Sequence, residues 1–426
     1  MNRFRDTIRR HKAGELVGVT SVCSAHPLVL AAAVRQAVDD DTFLLVEATS
    51  NQVDQYGGYT GMTPADFRDF VQQLAADNDL PDGRLVLGGD HLGPNRWQQE
   101  AADTAMDRAE ALVTAYAAAG YTKIHLDCSM ALGGDALPLP AEVVAIRAAR
   151  LLAAAEAAAP DADAVSYVIG SEVPVPGGAH EELTTLTPTD PEAAAETLRA
   201  HRAAFAALDL EAVWPRIAAL VVQPGVEFDH IRVIEYDRAG TAALRHVLDD
   251  EPDMVFEAHS TDYQLTERLA ALVEDHWAVL KVGPGLTFAL REGLFALAHI
   301  EEHLVAAEDR SNLLAVIEQR MLEAPGFWAS YYEGDEQAQR LARRFSYSDR
   351  VRYYWPDPAI QSAEARLLEN LGRSDIPLPL LSQYLPDQYL RVRRGELAAT
   401  PRDLVIDKVR DVLRTYSSAC RSRASR

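Results

Sequence analysis

The stretch 85–91 reads LVLGGDH, an apolar run of strand character that stops abruptly in two glycines, an aspartate and a histidine. Seven further runs have the same form: 15–24 (ELVGVTSVCS), 43–50 (FLLVEATS), 123–129 (KIHLDCS), 165–172 (VSYVIGSE), 217–225 (IAALVVQPG), 253–260 (DMVFEAHS) and 277–285 (WAVLKVGPG). Between them lie Ala/Leu-rich segments with helical spacing, such as 63–78, 98–120 and 141–159. Thr63-Pro64 and the prolines Pro27, Pro140 and Pro191 punctuate helix starts. Continuous apolar strands alternating with helices indicate a parallel sheet covered on its faces, and eight such units in about 300 residues predict a (β/α)8 TIM barrel. A doubly wound open sheet is the alternative. Beyond residue 305 the alternation stops, so the expected division is a barrel over 1–305 and a helical C-terminal extension over 306–426, packed on the barrel or at a subunit interface.

Composition narrows the function. The chain has 426 residues, 48% hydrophobic and 25% charged, as in an ordinary globular protein. Its 41 Lys and Arg against 64 Asp and Glu give a net charge of -23, which disfavours nucleic-acid or anionic-membrane partners. The start MNRFRDTIRRHKAGE has no apolar core for a signal peptide, and no later stretch is long and apolar enough for a membrane span, so a cytoplasmic location is expected. Three scattered cysteines, Cys23, Cys128 and Cys420, make neither a disulfide framework nor a four-cysteine zinc site, and any metal must be held by nitrogen and oxygen.

The strand ends carry the chemistry. Glu47, Asp90 and His91, Asp127, Glu172, Gln223, His259, Lys281 and the Gly283-Pro284-Gly285 turn all fall at the C-terminal side of apolar runs. A barrel gathers those ends at one mouth, and burying so many polar groups without a task is costly. Taken singly, each has a plainer reading: a hydrogen-bonded histidine, a lysine paired inside the barrel, a glycine turn.

The motifs CSAHPLV, VEATSNQVDQYGGYTGMTPADFRDF, LGGDHLGPNRWQQE, KIHLDCSMALGGD, YVIGSEVPVPGG, VVQPGVEFDH, EAHSTDYQ, LKVGPGLTFALREGLFALAHIE, YSDRVRYYWPDP and LPLLSQYLPDQY resemble the Z subunit (GatZ/KbaZ type) of class II D-tagatose-1,6-bisphosphate aldolase. The resemblance spans roughly residues 8–418. It implies a (β/α)8 barrel and a role beside a catalytic aldolase subunit in cleaving a ketohexose bisphosphate to dihydroxyacetone phosphate and glyceraldehyde 3-phosphate, in galactitol or amino-sugar catabolism. Some relatives are also associated with C4 epimerisation of free ketohexoses, so a self-sufficient metal-dependent epimerase is the second expectation. By the same resemblance a divalent metal, zinc or alternatively manganese or magnesium, is expected on His91, His259, Gln223 and Glu172. Gln223 stands where a histidine would be expected, and its neutral oxygen is a weaker zinc ligand.

For proton transfer Asp90 and Asp127 are the leading candidates, with Glu172 beside them; Ser24, Glu47, Asn51, Lys281, Gly283 and Gly285 are expected to bind substrate. The two glycines would do so by holding a phosphate on backbone amides at a helix N-terminus. Arg350 and Arg352 can reach a phosphate at the mouth, although a helical cap or subunit interface is the preferred reading of the aromatic segment 327–355. Expected partners are a sugar or sugar phosphate, and a class II aldolase catalytic subunit, further copies of the chain, or both.

Overall fold

The computed structural model describes residues 2–170 and 186–421. Eight parallel strands close into a barrel in sequential order: β1 (Val19–Val22), β2 (Leu44–Thr49), β3 (Leu85–Leu92), β4 (Lys123–Leu126), β5 (Ser166–Gly170), β6 (Ile217–Val221), β7 (Val255–Ala258) and β8 (Val279–Val282). Closure is made by β8 against β1, with Val19 opposite Val279 and Val22 opposite Val282. The open-sheet alternative is thereby excluded.

Helix starts follow the punctuation. Thr63 and Asp66 form a reciprocal capping box ahead of helix Pro64–Asp77, and Pro27 and Pro191 each occupy the first helical turn. Pro140 sits one residue earlier, as the N-cap of Ala141–Ala158. After β6 the full helix is replaced by a two-stranded ribbon, Glu227–Phe228 with Val233–Ile234, and a short 3-10 turn.

The N-terminal helix Arg3–Lys12 seals the barrel floor. Its Phe4 and Ile8 join Val19, Leu45, Val86, Val168, Val255 and Val279, residues from the early part of the strands, in one buried cluster. The C-terminal region is helical, and its last helix, Pro401–Cys420, packs on helices Pro27–Asp39, Thr266–Glu274 and Pro284–Leu304 of the barrel wall. The Cys420 carbonyl accepts from the Gly18 amide at 2.8 Å and the Tyr416 hydroxyl donates to the Thr261 carbonyl at 2.7 Å, so this helix is stitched to strands β1 and β7. Among the described residues no helix is long and apolar enough to cross a membrane.

Candidate metal centre at the barrel mouth

Side chains on a strand alternate between two faces, so adjacent residues Asp90 and His91 should point apart. The chain overcomes this with a register shift between Gly89 and Leu92 and a left-handed backbone at His91, whose φ is 50°. A bulge of this kind re-aims a side chain, and positive φ at a non-glycine residue stores local strain. Both side chains consequently reach the interior, 2% and 3% exposed.

Around them stand two further histidines. His125 lies on β4 and His259 just beyond β7, and the three ring centroids are 4.8–5.2 Å apart. Each ring has a carboxylate on one nitrogen: His91 Nδ1 is 2.7 Å from Asp127 Oδ2, His125 Nδ1 3.0 Å from Asp90 Oδ1, and His259 Nε2 3.0 Å from Glu257 Oε1. His125 Nδ1 is also 3.3 Å from the His91 amide, a contact demanding the opposite tautomer. The shorter, charged contact to Asp90 is the stronger one, and it leaves His125 Nε2 as a buried lone pair without a partner among the described residues. Single donor atoms of Asp90, His125, Glu257 and His259 all lie within 4.8 Å of one another. Carboxylates behind imidazoles fix tautomers and aim free nitrogens, the arrangement of a metal site. This buried cluster is compatible with a divalent metal.

Beneath the histidines runs a charged ladder. Lys123 Nζ bridges Glu47 and Glu257 at 2.7 Å each, all fully buried, and Lys281 Nζ reaches Asp90 at 3.0 Å and Glu47 at 3.2 Å. Ser21 adds a hydroxyl to Glu47 at 2.5 Å. Three carboxylates face two ammonium groups, which leaves the interior able to accept a further cation. Burial pushes the Asp90 carboxyl up, but His91 and Lys281 outweigh it and hold it well below the usual carboxylate range. Burial and the neighbouring cations depress His259 to about 3, keeping the ring neutral and able to ligate. Asp127 is also held far down, burial being outweighed by His91 and Ser129; it accepts from His91, Asn95, and the Ser129 amide and hydroxyl.

The other expected site residues separate. Asn51, Lys281 and Gly283 line the mouth together with Asp90, His91 and His259. Ser24 instead lines an adjoining cleft, its hydroxyl accepting from the His26 amide at 3.3 Å. Glu47 is sequestered in the ion-pair ladder. Gln223 is turned to its own loop, where Oε1 accepts from the Gly225 and Val226 amides at 2.8 and 3.0 Å; the additional nitrogen beside His91 and His259 comes from His125. The Gly283 and Gly285 amides both donate to Asp262 Oδ1, at 2.9 and 2.7 Å, so a side-chain carboxylate fills the position expected for phosphate. Burial raises that carboxyl to about 6. Glu172 lies outside the described residues. Arg350 is tied to the Phe327 carbonyl and stacks 3.4 Å from the Tyr331 ring, whereas Arg352 lines the mouth.

Sequence reasoning missed His125, Glu257 and Lys123. It also passed over Glu227, buried on the ribbon after β6 next to Phe228 of the mouth, where burial lifts its carboxyl to about 7.

The fold and site together define a (β/α)8 barrel with a histidine–carboxylate cluster at its C-terminal mouth. The chain belongs to the D-tagatose-1,6-bisphosphate aldolase subunit GatZ/KbaZ-like family, whose model matches residues 4–421. A crystal structure from Sinorhizobium meliloti 1021, named a probable tagatose 6 phosphate kinase, is 49% identical with a TM-score of 0.87, covering 95% of this chain and 100% of that one. The family and that structure are named for different activities, so neither name decides the reaction. Fructose-bisphosphate aldolase from Campylobacter jejuni matches at 13% identity and a TM-score of 0.45, over 86% of this chain and 91% of its own, a likeness too weak to carry an argument.

Proposed function

We propose that the mouth is a metal-assisted site for retro-aldol chemistry on a ketohexose or its phosphate ester. The observation that carries this reading is the clustering of three imidazoles beside Asp90 and Glu257, with His125 Nε2 buried and unpartnered among the described residues. His91, His125 and His259 would hold the ion with an oxygen of Asp90 or Glu257, a nitrogen-rich set that suits zinc better than magnesium. Such an ion, when bound, supplies Lewis-acid polarisation of a carbonyl oxygen.

The chain's own groups supply the rest. Asp90 faces the mouth, and the Lys281 ammonium 3.0 Å away keeps it ionised, so it is the base that takes the C4 hydroxyl proton. As the proton leaves, the C3–C4 bond breaks, its electron pair passing toward the C2 carbonyl. Return of the proton from Asp90 to C3 of the enediolate and release of both halves is cleavage, whereas recombination on the other face of the aldehyde, with the proton returned from Asp90 to the C4 oxygen, inverts C4. Asp127 acts through His91 by orienting its ring and is a positioning residue. The test is to assay the purified chain, with metal and with chelator, for tagatose–fructose interconversion and for cleavage of tagatose 1,6-bisphosphate.

A second reading, in which the chain supports a catalytic aldolase partner, is favoured by a different observation. Leu322, Leu341 and Phe345 on helices Leu313–Glu323 and Glu336–Phe345 are each more than half exposed, an apolar surface suited to an interface. Co-purification with a catalytic chain, lost on Leu341→Asp with Phe345→Asp, is the corresponding test.

A further inference from the structure

Arg352 stands at the junction of two cavities. It lines the mouth with Asp90, His91 and His259, and it lines a second cleft of about 440 Å³ between the start of helix Pro27–Asp39 and helix Pro358–Gly372. Cys23, Gln52 and Tyr59 line both, so the cleft opens directly off the mouth.

The guanidinium is held but not neutralised. Nη1 donates to the Ser348 and Asp349 carbonyls, Nη2 donates to the Tyr353 hydroxyl at 2.9 Å, and the Tyr353 ring lies 4.5 Å away. Among the described residues no carboxylate makes an ion pair with it; Asp349, whose carboxylate is bound by Arg291 at 2.8 Å, and Asp262, bound by the glycine amides, act on it from further off. Of the nearby buried arginines, Arg291 has Asp349 and Arg343 has Glu318, while Arg350, with no carboxylate among the described residues, is tied to the Phe327 carbonyl and the Tyr331 ring and lines neither cavity. In a chain of net charge -23, a half-buried guanidinium left without a carboxylate presents a charged fork suited to a planar or tetrahedral anion.

Two independent features point the same way. Trp355 is 3% exposed and lines the second cleft, and its indole Nε1–H has no acceptor among the described residues. A buried donor left unmet costs free energy that a ligand oxygen would recover. The other anion position this barrel offers, the amides after β8, is already filled by Asp262.

We propose that the cleft is the subsite for the anionic end of the ligand, a phosphoryl or carboxylate group, with Arg352 as the residue that selects it and Trp355 Nε1–H donating to the same ligand. It rests on the proposed sugar site only for where the other end of the ligand lies.

The test uses the full-length, metal-free protein and calorimetric titration with inorganic phosphate, D-tagatose 6-phosphate, D-galacturonate and D-tagatose. One charged sugar should bind at least about tenfold more tightly than D-tagatose, and which one does so distinguishes phosphoryl from carboxylate. Arg352→Met should abolish that preference with the fold intact by circular dichroism; Arg352→Lys should retain part of it, and Trp355→Phe should weaken the charged ligand severalfold. If Arg352→Met does not fold, the Lys and Phe variants decide. Equal binding of charged and neutral sugars by the wild type, no binding of any anion at millimolar concentration, or an undiminished preference in the folded variants would overturn the assignment. Because no metal is present, failure here leaves the metal reading standing, and failure of metal uptake leaves this one standing.

Discussion

His91 Nδ1 lies 2.7 Å from Asp127 Oδ2, and that carboxylate is itself fixed by Asn95 and Ser129. The contact assigns a ring proton to Nδ1 and turns Nε2 toward Asp90 Oδ2, 3.6 Å away. Asp127→Asn keeps the shape but loses the charge that specifies the tautomer. Metal affinity should fall about 10- to 100-fold with the fold intact, checked by competition with a chromogenic chelator alongside circular dichroism. An unchanged affinity would remove Asp127 from the site.

The buried Lys123 holds Glu47 and Glu257 together. Lys123→Met leaves two interior carboxylates with Lys281 as their ammonium partner among the described residues, at 3.2 and 3.7 Å, and removing one partner of a buried ion pair costs about 3–5 kcal/mol. Because Lys281 compensates in part, the lower end of that range is expected in urea unfolding at pH 7. A loss under about 1 kcal/mol, the level of a surface ion pair, would contradict the interior network.

His11, on the floor helix, has Nδ1 2.8 Å from the Val17 carbonyl and Nε2 3.0 Å from His276. Burial lowers its pKa from 6.5 to about 4. The unfolded chain binds this proton more readily, so the contribution is fully present above pH 6.5 and is lost as pH falls from 6.5 toward 4. Between pH 7 and 5 the loss is about 2 kcal/mol from this ring. Unfolding free energies at the two pH values should differ by that much more in the wild type than in His11→Asn. An equal pH dependence would show that His11 is not buried neutral.

How far the sequence foretold this arrangement follows from strand geometry. The eight apolar runs and the helix punctuation are local signals, and the barrel follows from their order. Asp127 reads from sequence as a strand-end group, yet His125 and Lys123, two and four residues earlier, occupy the same face of β4; Glu257 and His259 have the same two-residue relation. Following that alternation down each strand exposes the missing imidazole and the ion-pair ladder. Gln223 misled because spacing says nothing of a side chain folding back on its own turn. Gly283 and Gly285 misled because their partner, Asp262, comes from the preceding βα loop. The joint inward aim of Asp90 and His91 depends on a register shift against β4, which is a tertiary fact.

The central claim is that this chain carries its own working metal site with Asp90 as base. The most direct measurement combines metal content and turnover of the isolated chain, wild type and Asp90→Asn, with and without chelator. About one tightly held divalent ion per chain is predicted, together with tagatose–fructose interconversion or bisphosphate cleavage that chelator abolishes. Asp90→Asn should slow turnover by about 10²-fold or more while retaining the fold. No metal uptake at micromolar concentration and no reaction with any divalent metal, while an added catalytic chain gains equally from wild type and Asp90→Asn, would contradict the claim and leave the supporting-subunit reading in its place.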